Sequence, residues 1–299
     1  MKALVTTLSA PLAAADALYE QGRLGAALTA YRDLLDQAQD KADRTAEAVA
    51  RAMVARCLLQ VPEEGVDGVE EAEHHLGAVA YFEADLHVEA QARLQGTRAR
   101  MAGGQPALLT YLRWADERGH SASIVDACVL LSRSQRGEDR AMWLSRAVEE
   151  AEAAGRVRQA GMLALELGGI LDADGRLEEA ARAYGRAFEH QVTHGSPRGA
   201  ASAAWAKGNV QARIEDDGEA RVTLEEAVKR ASAAEEARDI LALALADLAR
   251  VHEAAGDVVE ARRLVIRAVG IAREEGLPSL WPERWRSLVA YGRSLELEV

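Results

Sequence analysis

Apolar residues recur along the chain at spacings of three and four, in helix-length stretches separated by short polar turns that carry glycine. Three of these turns share one order: glycine, polar, apolar, two variable residues, alanine. They are Gly22-Arg23-Leu24-Gly25-Ala26-Ala27, Gly175-Arg176-Leu177-Glu178-Glu179-Ala180 and Gly256-Asp257-Val258-Val259-Glu260-Ala261. Glycine takes the left-handed conformation that ends a helix, the apolar residue plugs the turn, and the small alanine lets two helices approach closely. Four residues beyond the alanine stand Tyr31, Tyr184 and Val265, and three further on Leu34, Ala187 and Ala268, which together form one face of a second helix. Before the turn, Gly168 with Leu171 and Ala249 with His252 place a small and a larger residue on the facing side of the first helix.

This order resembles the tetratricopeptide repeat, with small and apolar positions on a first helix, a glycine turn, then alanine and an aromatic on the second. The marker alanines are Ala27, Ala72, Ala107, Ala141, Ala180, Ala220 and Ala261. The resemblance implies an all-α chain, a right-handed α-solenoid of about seven helix-turn-helix repeats spanning approximately 8–43, 44–83, 84–120, 121–158, 159–199, 200–239 and 240–276. Most markers lie about 40 residues apart, longer than the family's usual ~34. The second to fourth repeats are degenerate: the second carries a long Val61–Gly68 loop, the third turns at Gly103-Gly104, and the fourth has Ser145 where an aromatic is expected. Gly276, Pro278 and Pro282 then interrupt the chain, and Trp281–Leu295 reads as an amphipathic helix within a 277–299 capping segment. Trp281, Trp285, Leu288 and Tyr291 cover the apolar face of the last repeat, or pair two chains as a homodimer.

Composition agrees with helices, since 49% of residues are apolar and only 4% aromatic. A formal net charge of −12 argues against nucleic-acid and anionic-membrane partners. Cys57 and Cys128 belong to no CxxC or Cys/His cluster and read as small buried hydrophobes of a reducing, cytoplasmic compartment. In Met1–Ala15 the apolar run is broken by Thr6, Thr7, Ser9 and Pro11, unlike a secretory signal. No segment reaches the ~18 uninterrupted apolar residues of a membrane-spanning helix.

No phosphate loop, GxGxxG, HExxH, EF-hand loop or GxSxG is present, so the sequence predicts no enzyme and no cofactor. His190 and His194 share a helix face and could hold zinc. They lack a third ligand, and a helix C-terminus favours histidine on its own, so no metal is expected. His74 and His75 point about 100° apart. Carboxylate pairs such as Glu149-Glu150 and Glu235-Glu236 sit on polar faces near arginines and read as solvated surface.

The resemblance further implies that first helices line a concave groove for a peptide or a partner's helix. Carried over position by position, it puts Ser202, Trp205, Asn209 and Arg213 of the sixth repeat there, with Leu243, Ala246, Arg250 and Ala254 of the seventh. Earlier repeats contribute Asp16, Tyr19, Arg56, Arg93, Arg100, Asp126, Arg133 and Glu166. The leading candidates are Arg93, Arg133, Glu166, Trp205, Asn209, Arg213 and Arg250. Asn209 is the only asparagine in the chain and falls where peptide-clamping family members place one, although the lysines and paired asparagines of their carboxylate clamp are missing. Inward arginines in an acidic protein focus a positive field, which suits an acidic peptide or a C-terminal carboxylate. The same arginines could equally pair inside the chain with Asp126, Glu166, Asp172 and Asp247. A protein- or peptide-binding adaptor is the expected function, with a ligand-responsive sensor acting on a separate effector as the alternative.

Overall fold

The computed structural model describes residues 7–61, 67–214 and 216–298. Among them there are α-helices, two short 3₁₀ turns at Glu83–Asp85 and Glu235–Ala237, and no strand. The chain divides into two units, Met1–Ser134 and Gln135–Val299.

The first unit holds α1 (Ser9–Glu20), α2 (Leu24–Asp40), α3 (Arg44–Leu58), α4 (Gly68–Gly77), α5 (Val88–Ala102), α6 (Gly104–Glu117) and α7 (Ser121–Ser134). The second holds α8 (Gly137–Ala153), α9 (Val157–Ala173), α10 (Leu177–His194), α11 (Pro197–Arg213), α12 (Asp217–Ser232), α13 (Arg238–Ala254), α14 (Val258–Glu274), the short α15 (Leu277–Leu280) and α16 (Pro282–Ser294). Within each unit every long helix packs on its neighbours in sequence. The boundary between the units falls inside the stretch 121–158 that the repeat pattern treats as its fourth member.

The helix-ending turns follow from the sequence order. Gly175 adopts φ 75°, and the amide of Arg176 donates to the carbonyl of Leu171 at 2.9 Å, closing α9. The same closure joins Arg23 to Leu18 at 3.0 Å and Asp257 to His252 at 2.8 Å. Between α2 and α3 a non-glycine residue, Ala42, takes the left-handed position with φ 51°. Asp43 then starts α3 by accepting the Ala46 amide at 3.0 Å.

Close helix approach depends on the small residues. A Cβ on Gly168 would lie 2.5 Å from the Tyr184 ring, and one on Gly208 would lie 2.7 Å from Leu224. Ala27, Ala72, Ala180, Ala220 and Ala261 are fully buried. Ala107 is only half-buried, and Leu108 beside it enters the core. One core fills the first unit around Tyr31, Leu34, Val49 and Val54, and another fills the second around Leu224, Leu245 and Val265.

The C-terminal cap is present within the second unit: α16 lies against α14, and Leu288 and Leu295 join the core, with Trp285 and Tyr291 packed at its edge. Trp281 departs from the expectation. Pro282 breaks the segment into α15 and α16, and Trp281, between them, is 37% exposed. Gly103 and Gly104, with φ 65° and 72°, separate α5 from α6 as the sequence implies. Met1–Thr6 and most of the Val61–Gly68 loop lie outside the described residues.

Candidate functional site

In the first unit, inward side chains of α1, α3, α5 and α7 converge on a cavity of about 260 Å³. Its walls include Asp16, Tyr19, Arg56, Arg93 and Asp126, all named from the first-helix pattern. Two carboxylates organise it. Asp16 accepts a pair of parallel hydrogen bonds from the Arg93 guanidinium, 2.7 Å each, and a third from the Tyr31 hydroxyl at 2.6 Å. Burial alone raises the Asp16 pKa, but the bonds and charge of Arg93 outweigh it and hold the carboxyl below its ordinary value. Asp126 accepts from Arg100 at 2.5 Å and from the Tyr111 hydroxyl at 3.3 Å. Burial, followed by Asp126, pushes the Tyr111 phenol up.

Arg56 differs from the other two arginines. Its Nε donates to Thr97 Oγ1 at 3.1 Å and its Nη2 to the Arg93 carbonyl at 3.3 Å. Both acceptors are neutral, and Arg56 forms no ion pair among the described residues. Burial, then the like charge of Arg100, lowers its pKa. A guanidinium remains charged at neutral pH all the same. Gly96 makes room for this arrangement, since a Cβ there would stand 2.9 Å from both Arg56 Nη2 and the Tyr111 hydroxyl. In the cavity wall, buried His120 accepts the Ser123 amide at Nδ1, 3.3 Å away. Its Nε2 faces Glu89 at 3.0 Å.

The second unit uses its inward polar residues differently. Asp247, 8% exposed, accepts from Trp205 Nε1 at 2.8 Å, Asn209 Nδ2 at 2.9 Å and Arg250 Nη1 at 2.6 Å. Arg250 also lies 4.8 Å from the Tyr291 ring centre, and Arg284 of α16 lies 5.0 Å from that of Trp205. Arg213 pairs with Asp172, and Glu166 approaches Arg140 at 3.7 Å. The cavity beside this cluster, between Asp247, Arg250 and Trp285, is only about 60 Å³. The internal pairing that the sequence leaves open thus engages Arg93, Arg100, Arg213 and Arg250. Arg133 stands apart: it is exposed on the last turn of α7 and forms no ion pair among the described residues.

His190 is held by Glu152 at 2.7 Å, where Arg186 also binds in bidentate fashion. His194 is exposed, and no group of three or more metal-ligating side chains occurs among the described residues. Tyr111, Thr97 and the His120–Glu89 pair are absent from the sequence-based set. Tyr111 was accessible to it, because it stands four residues after the marker Ala107, the register of Tyr31 after Ala27 and Tyr184 after Ala180.

No family model matches the chain, and no curated protein matches it. Among solved structures, it is similar to BtubC (BKLC) from P. vanneervenii at 16% identity, with 85% of this chain and 92% of that one covered and a TM-score of 0.44. It is similar to yeast Tom70 at 14% identity, covering 90% of this chain but only 59% of Tom70, with a TM-score of 0.44. A Rap protein complexed with competence and sporulation factor gives 14% identity, 89% and 77% coverage and a TM-score of 0.43.

Proposed function

We propose that the chain is a non-enzymatic binding module for a peptide or protein partner, with first helices supplying the recognition surface. The observation that carries this reading is the convergence of inward residues from α1, α3, α5 and α7 on one cavity in the first unit. Its walls combine apolar area from Met53 and Ala92 with polar groups held in fixed directions by Asp16–Arg93 and Asp126–Arg100. In the second unit the leading candidates Trp205, Asn209 and Arg250 are already bonded to Asp247, so the first unit is the better recognition site.

Cys57, buried and in no disulfide, supports a reducing, cytoplasmic setting. Exposed Leu280, at 69%, and Trp281, at 37%, support self-association through the C-terminal segment. Sedimentation of Leu280→Ser/Trp281→Ser against the wild type tests that association.

The test of the binding reading uses a pooled library of fluorescent N-acetyl hexapeptides. The wild type is expected to capture members of the pool, and Ala122→Trp, which fills the cavity from its α7 wall, is expected to capture none while melting normally. Failure of the wild type to retain any peptide would reject the reading.

A further inference from the structure

The C-terminal end of the second unit keeps an apolar face that nothing among the described residues covers. α16 runs back along α14, with Trp285 beside Arg273 and Glu296 beside Arg262. Val259 and Ile266 lie two turns apart on one side of α14 and are 82% and 57% exposed. Leu280 and Trp281 extend this face in the turn before α16. A terminal repeat is ordinarily closed by a polar outer surface, and here the border is basic. α16 carries Arg284, Arg286 and Arg293 against a single acid, Glu283. Arg273 and Arg293 form no ion pair among the described residues. The Arg286–Glu283 pair lies in solvent and neutralises little.

The first unit shows the opposite charge. Asp33, Asp36 and Asp40 follow one another at spacings of three and four on the exposed side of α2. None of these carboxylates has a bonding partner among the described residues. Arg32, the one basic residue within α2, turns to Glu71 of α4 at 3.3 Å. Asp36 and Asp40 also stand at the C-terminal end of the helix, where their mutual repulsion and the negative end of the helix dipole oppose them. α1, packed against α2, exposes Ala10, Ala13, Ala14 and Ala17, an apolar surface that bulky side chains can meet.

We infer that a second copy of the chain covers the C-terminal face. α14 and α16 of one molecule dock on α1 and α2 of the next, the arginines meeting the Asp33, Asp36 and Asp40 carboxylates while Leu280 and Trp281 meet the alanines of α1. This contact presupposes self-association through the C-terminal segment and names the surface that the segment meets. Two C-terminal faces paired with each other would bring Arg273, Arg286 and Arg293 against their own copies, a like-charge juxtaposition that disfavours that arrangement. Because the two faces differ, the contact is heterologous, and each added molecule presents one unused face of either kind.

Sedimentation equilibrium of the full chain tests the contact. The wild type is expected to gain mass with concentration at low salt, and its association to weaken about tenfold between about 50 and 500 mM NaCl. Asp33→Lys/Asp36→Lys/Asp40→Lys and Arg286→Glu/Arg293→Glu change exposed positions only and should melt normally. Each should be monomeric alone, and an equimolar mixture of the two should associate again, since the acidic α2 of the second meets the unaltered arginines of the first. The neutral set Asp33→Asn/Asp36→Asn/Asp40→Asn should associate more weakly than the wild type, which keeps the test decisive if the lysine set folds poorly; association equal to that of the wild type would count against the contact. Wild-type association in the lysine set, abolished by Leu280→Ser/Trp281→Ser, overturns the inference and leaves C-terminal self-association standing between like faces. A mixture of folded variants that stays monomeric overturns it as well. A wild type that is monomeric at every concentration rejects both the inference and the self-association on which it rests.

Discussion

Arg93 on α5 and Asp16 on α1 meet through two parallel hydrogen bonds of 2.7 Å although 77 residues separate them in the chain. The pair spans three first helices of the first unit, passing α3, whose Arg56 bonds the Arg93 carbonyl on the way. With side chains 21% and 26% exposed, both groups are sheltered enough for loss of one partner to be felt by the other. Arg93→Met is expected to cost about 2–3 kcal/mol in urea unfolding. Adding Asp16→Asn should cost less than the sum of the single changes, with a coupling of about 1–2 kcal/mol. Simple additivity would show that the two groups are not linked.

Because Arg93 and Tyr31 hold the Asp16 pKa below its ordinary value, the unfolded chain binds the proton more readily than the folded one. The sign follows: this contribution is fully present above the unfolded pKa of about 4 and disappears as pH falls through the lower folded value. The stability gap between wild type and Asp16→Asn should therefore be flat from pH 5 to 7 and shrink below about pH 4. Urea midpoints across that range provide the measurement, and a gap that widens in acid would contradict the assignment.

Gly168→Ala sets helix propensity against packing. Alanine gains about 1 kcal/mol in a helix interior, but its Cβ would sit 2.5 Å from the buried Tyr184 ring, a group with no flexible end to yield. Overpacking of this kind costs about 1–3 kcal/mol, so a net loss of stability is expected in thermal unfolding. Gly270→Ala in α14, with nothing within 4 Å of its Cβ, serves as the control and should be neutral or stabilising.

Asp247→Asn removes the charge that Trp205, Asn209 and Arg250 share. A loss of about 2–3 kcal/mol is expected. A change in Trp205 emission, isolated as the difference from a Trp205→Phe protein, should accompany it. An unaltered difference spectrum would show that Trp205 is positioned by other contacts.

The sequence exposed the helix-turn-helix order clearly because glycine, apolar plug and alanine each answer a local steric demand. Gly175 and Gly256 end their helices where that order requires. It was less informative where a different residue meets the same demand, as at Ala42, which takes a left-handed turn with no glycine to announce it. First-helix positions identified Asp16, Arg56, Arg93 and Asp126, since their inward direction depends only on helix register. Their pairing depends on distances across helices distant in sequence, so the difference between Arg93, which pairs with Asp16, and Arg56, which bonds neutral acceptors, became visible only in three dimensions. The same reason placed emphasis on Asn209 and Arg250, whose partner Asp247 lies among them.

The reach of the Asp16–Arg93 contact also has a kinetic meaning. Most inner bonds join adjacent hairpins, as Arg213–Asp172 does over 41 residues, whereas closing a 77-residue loop must wait until α1, α3 and α5 have docked. Arg93→Met should consequently leave the refolding rate almost untouched and accelerate unfolding, so that the clasp acts as a brake on opening rather than a guide to assembly.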